Sequence, residues 1–321
     1  MTGRTGVFRS AEDNLPLAVG TIVFTVFALS LGDAAIKLTS GHFALWQVFV
    51  LRSIIAVPVL LAILRTTNHS HGLLPGNPGW VALRSLMLVA MWVCYYASLP
   101  HLQLSVAAAA YYTLPLFITL FAALFTGDRI TTLGWVAVSA GFVGVLLILR
   151  PDADGFGIHA LLPLVAAMLY GGAMLLTRTK CRAENPLVLS LHLNLAFIIV
   201  GLAATALTVT WGASPEGDPE PSGLLAPWAA MNGLDWLTMG LLAGSILIGS
   251  IGAAVAYQNA PPSVIGTFDF AYVAFSTIWG LLWFGEVPGT LSLAGIALIV
   301  LAGIVSVRQT PKSKSAASHS R

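Results

Sequence analysis

Five charged side chains fall inside stretches that are otherwise apolar: Asp33, Lys37, Arg52, Arg84 and Asp269, with the titratable His192 in another such stretch. An ionised group at the centre of a bilayer costs about 2.5–3.5 kcal/mol by insertion scales, so it faces a protein interior or a water-filled cavity. Such groups are candidates for gripping a polar solute or passing a proton. Asp33 and Lys37 stand four residues apart and share a helix face. They read either as an internal ion pair, with Lys37 reaching toward the surface, or as a substrate or coupling pair. Arg52 lies about eight residues into its stretch, roughly 12 Å along a helix. Pairing with Asp33 is its first reading and attraction of an anion the second. Arg84 stands close to the start of its stretch, which favours snorkelling over ligand binding. Asp269 either accepts from a neighbouring hydroxyl such as Thr267 or holds an amino group. His192 reads as a satisfied core residue or as a ligand.

Aromatic side chains supply the other chemistry. Trp46, Trp92, Tyr95, Tyr96, Tyr111, Tyr112, Tyr170, Tyr257, Phe268 and Phe270 fall within or beside the same stretches. A phenol stacks on an apolar solute and still donates a hydrogen bond. Trp211, Trp228, Trp236 and Trp283 lie near stretch ends, where interface-belt residues sit. Pro115, mid-stretch, removes a backbone hydrogen bond and favours a kink that serves as a hinge. No CxxC or His-rich spacing suggests a metal, and no GxxxxGK[ST] supports ATP hydrolysis. Cys94 is in an apolar segment and Cys181 in a charged connector, so no disulfide is expected. No catalytic residue, cofactor or metal is expected.

These side chains need a scaffold, and composition names its class. Of 321 residues, 57% are hydrophobic and 9% charged, against about 25% charged in a soluble domain. A net charge of +2 without a basic cluster disfavours nucleic acid as a partner. Apolar stretches near the ~20 residues that cross a bilayer recur ten times: 17–39, 44–64, 79–98, 104–125, 133–149, 158–177, 187–211, 236–257, 263–284 and 290–307. They do not alternate as barrel strands do, so an all-α integral membrane protein with ten transmembrane helices is expected. Residues 1–16 form a polar N-terminal segment without a signal's apolar core. Residues 308–321 form a basic tail, and 212–235 a Pro- and Gly-rich acidic loop.

With the N-terminus placed inside, Arg4, Arg9, Arg65, Arg129, Arg178, Lys180, Arg182, Arg308, Lys312, Lys314 and Arg321 fall on the cytoplasmic side. Arg150 alone falls outside. This positive-inside bias puts both termini in the cytoplasm and the acidic loop outside.

Residues 105–128 lie on 263–286 without a gap, with Ser105, Val106, Phe117, Thr119, Leu124 and Gly127 repeated as Ser263, Val264, Phe275, Thr277, Leu282 and Gly285. Both segments end in an acid, Asp128 or Glu286, and Asp269 aligns with Tyr111. Gly32 matches Gly172 at an offset of 140, which also sets His192 on Arg52. Both halves then hold five crossings, 17–149 and 150–307. An odd number forces the halves into opposite orientations, the plan of secondary transporters that rock around a midplane site. Gly134, Gly141, Gly144, Gly295 and Gly303 suit close-packed peripheral helices.

At this point the chain resembles the drug/metabolite transporter superfamily, in particular its bacterial EamA-type ten-helix members. The resemblance rests on the five-plus-five repeat and on Trp46 and Arg52 in WQVFVLR. It rests also on the endings GDRITTLGWVAVSAGFVG and GEVPGTLSLAGIALIVLAG. Aromatic-rich exporters of the YddG amino-acid type are the nearest comparison within it. Asp128 stands where the family usually has Glu. The resemblance implies a bacterial inner-membrane carrier that moves small amphipathic metabolites, foremost aromatic or neutral amino acids, out of the cytoplasm by alternating access. Nucleosides, sugars and toxic compounds are the alternative cargo; a membrane-embedded enzyme or a channel is the alternative class. The expected substrate-binding residues are Trp46, Trp92, Tyr95, Tyr111, Tyr112, Tyr257, Asp269 and His192. Asp33, Lys37 and Arg52 are the coupling or ion-pair set, and Pro115 is the hinge. The partners implied are a small molecule and the bilayer; a monomer suffices.

Overall fold

In lipid the backbone finds no water, so each long apolar run closes its own hydrogen bonds as a helix. The computed structural model describes residues 14–39, 43–67, 73–121, 124–125, 132–149, 158–210, 227–260, 265, 268–269, 271–287 and 289–307. Among these, regular structure is helical throughout: α1 (Leu15–Thr39), α2 (Leu45–Thr67), α3 (Pro78–Ser98), α4 (Leu104–Tyr111), α5 (Leu114–Phe121), α6 (Thr132–Leu149), α7 (Leu162–Thr179), α8 (Pro186–Thr210), α9 (Gly233–Asn259), α10 (Ala271–Phe284) and α11 (Thr290–Val307). Six of them, α1, α2, α3, α7, α8 and α9, are long and apolar enough to cross a membrane, and α10 is a shorter apolar helix.

Local chemistry sets the ends. The Asn232 side chain accepts from the N–H groups of Leu234 and Asp235, and Asp235 answers by accepting from the Asn232 N–H, a capping box that starts α9. At α3, Pro78 occupies the first turn. The exposed N–H groups of Gly76 and Asn77 donate to Glu184 at 3.1 and 2.9 Å, tying that helix start to the α7–α8 connector.

The helix expected over 104–125 is broken. The α4 segment ends at Tyr111, and α5 resumes at Leu114 after a turn in which Tyr112 has φ −76° and ψ 16°. Pro115 has no N–H to give the Tyr111 carbonyl, which is why the ladder fails there. The stretch expected from 263 is also interrupted: Asp269 sits in a turn, and α10 begins only at Ala271. At the repeat offset of 158 Asp269 falls on Tyr111, beside the Tyr112 turn, although Val273 stands where the first half has Pro115.

Most helix contacts pair under exchange of the halves expected from sequence, although α8 packs on α9 without an equally extensive α2–α3 contact. The close pairs are α1 with α9, α3 with α7, α2 with α8, and α6 with α11; further contacts join α1 to α10 and α5 to α7, and α3 to α8 and α2 to α9. Substituting each helix of the first half for its successor in the second turns every one of these pairs into another or into itself. Glycines permit the tightest approach: a Cβ on Gly32 of α1 would stand 2.8 Å from Ser245 Cβ of α9, and one on Gly141 of α6 would stand 2.8 Å from Leu116 Cδ1. The two cysteines are free thiols. The acidic loop is described only from residue 227, and α9 already begins at Gly233. Asp128, the N-terminal segment to residue 13 and the tail from 308 lie outside the described residues.

Candidate functional site: a tyrosine-lined bundle centre

All seven tyrosines of the chain are buried in the middle of the bundle. Tyr95 and Tyr96 come from α3, Tyr111 from the end of α4, Tyr112 from the break after it, and Tyr170, Tyr257 and Tyr272 from α7, α9 and α10. A phenol has no reason to collect in an apolar core unless its hydroxyl finds a partner there. Two buried carboxylates supply that partner for Tyr96, Tyr272 and Tyr257. Asp33 of α1 accepts from the Tyr96 hydroxyl at 3.1 Å and from the Tyr272 hydroxyl in a short hydrogen bond; the Tyr95 and Tyr272 hydroxyls stand 2.9 Å apart. Asp269 accepts from the Tyr257 hydroxyl at 2.6 Å.

The rings between these carboxylates form a continuous row. Tyr112 stacks on Tyr272 at 5.0 Å, Tyr95 meets Tyr111 at 5.2 Å, Tyr111 meets Tyr170 at 5.8 Å, and Tyr170 meets Tyr257 at 6.2 Å. The expected residues Tyr95, Tyr111, Tyr112, Tyr257 and Asp269 are thus brought together. Trp92 joins at the edge, its ring 4.8 Å from Tyr96, and Trp46 lies further out, edge-on to Phe49 at 6.0 Å. His192 is elsewhere: its Nδ1 is 2.9 Å from the Val188 carbonyl one turn back on α8.

Several pairings differ from those read from spacing. Lys37 does not pair with Asp33. Its ammonium meets Glu286 Oε1 at 2.5 Å and the Leu102 carbonyl at 2.8 Å, and lies over the Phe284 ring. Glu286 Oε2 also accepts from the Leu104 N–H at 2.9 Å, so one carboxylate holds both the lysine and the start of α4. This four-point latch ties α1, the α3–α4 connector and the α10–α11 connector at one end of the bundle. Arg52 reaches Asp33 only through a shared phenol, its Nη1 donating to the Tyr96 hydroxyl at 3.3 Å. Arg84 does not snorkel; it is buried, and its Nε donates to Thr177 Oγ1 of α7 at 2.6 Å. One turn inside α3 the side chain points at α7 rather than at the membrane surface. Asp269 meets Tyr257 across helices; Thr267, the hydroxyl read from spacing, lies outside the described residues.

At the opposite end Arg178, closing α7, donates to the Gln258 carbonyl at 2.9 Å. Gln258 in turn donates to the carbonyls of Cys181 and Glu184 at 3.0 and 2.8 Å. Lys37 and Arg178 stand alike, each in the last turn of the first helix of its half and each bonding a carbonyl at or just beyond the end of the third helix. Tyr272 and the partner role of Glu286 were not read from sequence. The signal for Tyr272 was its type: like the other tyrosines, it is a polar-tipped ring inside an apolar stretch, three residues after a buried acid.

The residues 16–150 match the EamA-like transporter family. The chain is 31% identical to a riboflavin transporter of Rhizobium johnstonii over 71% of its own length and 70% of that protein. It is 24% identical to the pseudopaline exporter of Pseudomonas aeruginosa, over 92% of its length and 98% of that one. A solved crystal structure 19% identical in sequence superposes with a TM-score of 0.64, covering 90% of this chain and 95% of that one, which shows a shared fold.

Proposed function

The chain belongs to the EamA-like transporters of the drug/metabolite transporter superfamily, and from that premise we propose that it exports small amphipathic metabolites by alternating access around the tyrosine-lined centre. That it is a multi-pass membrane transporter of small metabolites follows from the family and its apolar helices. The finer reading adds cargo, direction and orientation: aromatic or neutral amino acids, moved outward across the bacterial inner membrane, with both termini in the cytoplasm.

One observation carries the cargo reading. Every tyrosine in the chain faces the same interior, where ring faces accept a planar or apolar group and the phenols bound to Asp33 and Asp269 give way to an ammonium. The proposed substrate-binding set is Trp92, Tyr95, Tyr111, Tyr112, Tyr257 and Asp269, with Trp46 at the rim. His192 stays a peripheral member because its ring already has a partner. Asp33 is the proposed coupling carboxylate.

The cycle follows from the two ends. With sequence halves 17–149 and 150–307 as inverted repeats, the Lys37–Glu286 latch closes the external end, and Arg178 with Gln258 stands at the cytoplasmic end. Rocking of one half on the other opens each in turn. The breaks at Tyr112 and Asp269 let α4–α5 and α10 bend without breaking further hydrogen bonds, with Pro115 as the hinge. Riboflavin, the cargo in the name of one relative, is likewise planar and polar-edged, so heteroaromatic metabolites are the second reading.

The test is uptake into proteoliposomes of labelled aromatic and neutral amino acids, riboflavin, nucleosides and sugars. Tyr111→Ala and Asp269→Asn should lower transport of the accepted solute at least about tenfold, the scale of one lost charged hydrogen bond, with folded protein unchanged. Full transport in both variants would refute the site.

A further inference from the structure

Arg52 is 1% exposed, yet two of its three guanidinium nitrogens, Nε and Nη2, meet no acceptor within the described protein. Buried charged donors are ordinarily saturated, because each unmade bond forfeits its full desolvation cost. The two open nitrogens are also a particular pair. Nε and Nη2 form one edge of the planar group, and their parallel N–H bonds match the two oxygens of a carboxylate.

The rest of the guanidinium is fixed. Nη1 is held by the Tyr96 hydroxyl at 3.3 Å. The Phe49 and Phe197 rings lie 4.8 and 4.6 Å from Cζ, with Trp92 at 5.9 Å. Aromatic faces stabilise the cation without consuming its hydrogen-bond donors. The open edge is therefore held in place before any ligand arrives.

Space and a complementary charge lie beside it. Arg52 lines a cavity of about 10 Å³ together with Gly32, Asp33, Tyr96 and Ser245, roughly the room of one water. The cavity is small because α1 and α9 touch there, Gly32 against Ser245. Parting those two helices enlarges it. The Tyr96 hydroxyl then has a cation donor on one side and the Asp33 carboxylate on the other.

Resting on the carrier reading above, we propose that the open edge of Arg52 is a subsite for the substrate's carboxylate, with Asp33 across Tyr96 receiving an adjacent ammonium. The cargo class is then the zwitterionic amino acid. A neutral flavin or nucleoside leaves the fork empty and is disfavoured. Arg52 acts by direct bidentate contact, which a lysine at that position cannot reproduce.

The experiment compares solutes that differ only at the carboxyl group. Uptake of labelled L-phenylalanine and L-phenylalaninamide, and of L-tryptophan and L-tryptophanamide, is measured with the full chain in liposomes, and riboflavin serves as a carboxylate-free probe. The wild-type protein should favour each acid over its amide by about tenfold or more, and Arg52→Lys should erase that preference. Equal uptake of acid and amide by the wild type, or a preference kept by Arg52→Lys, overturns the subsite. Uptake of riboflavin with neither amino acid overturns the subsite and leaves the carrier reading standing. Uptake of no probe overturns both. The wild-type comparison decides the matter even if the Arg52 variants fail to fold.

Discussion

Removing the latch between Lys37 and Glu286 should shift the protein toward the conformation in which that end is open. The two side chains are 13% and 14% exposed and meet at 2.5 Å. At an effective dielectric of about 20, unit charges some 4 Å apart attract by about 4 kcal/mol, and desolvation cancels part of this. A net coupling of about 1–3 kcal/mol remains, which is a change of about 5- to 150-fold in the open population. The assay is the rate at which an impermeant thiol reagent labels Ser98→Cys, a site buried at the end of α3, in a background lacking Cys94 and Cys181. Glu286→Gln and Lys37→Met should each accelerate labelling within that range. The double variant should be no faster than the faster single one, because a single change leaves its partner's charge unpaired. Rates that multiply, or a labelling rate unchanged in all three, would refute the latch.

Other consequences follow from the same geometry. Asp33→Asn should abolish the response of uptake to an imposed pH gradient and weaken solute exchange without abolishing it; a gradient response equal to wild type would remove Asp33 from coupling. Thr177→Val takes the acceptor from buried Arg84 and should destabilise the fold by about 1–3 kcal/mol, read as a lower unfolding midpoint in detergent. A Cβ at Gly252 would collide with Thr25 of α1, so Gly252→Ala should cost about 1–3 kcal/mol by wedging α1 from α9; an unchanged midpoint would show that the helices separate freely. His101 stacks on His159 at 3.8 Å in the connector near the latch, and burial, then the neighbouring imidazole, pushes its pKa below the usual 6.5. The neutral form is thus favoured in the folded state, and this contribution is lost as pH falls below 6.5. NMR titration should find His101 protonating below that value and moving back toward it in His159→Gln.

The chain's frame is legible because lipid leaves few options: long apolar runs must be helices, and charges within them must face inward. Asp33, Arg52 and Asp269 were found that way, and Pro115 announced the break after Tyr111. Partners were another matter. Spacing on one helix offered Asp33 to Lys37, but the lysine's partner, Glu286, is 249 residues away. Two neighbouring phenols satisfied Asp33 instead, which left Lys37 free to reach the bundle's end. Arg84 looked like a snorkelling residue from its depth alone, since nothing local shows that Thr177 waits on α7. The turn at Asp269 carries no proline, so only the repeat alignment with Tyr111–Tyr112 could have revealed it.

The central claim is one interior reached from two ends in alternation. Its most direct test labels Ser98→Cys at the latched end and native Cys181, buried beside Gln258 at the other, in the same purified protein with and without the latch substitutions. The two sites should change in opposite directions: faster labelling at Ser98→Cys accompanied by slower labelling at Cys181. Faster labelling at both sites together would mean a continuous pore and would contradict the claim.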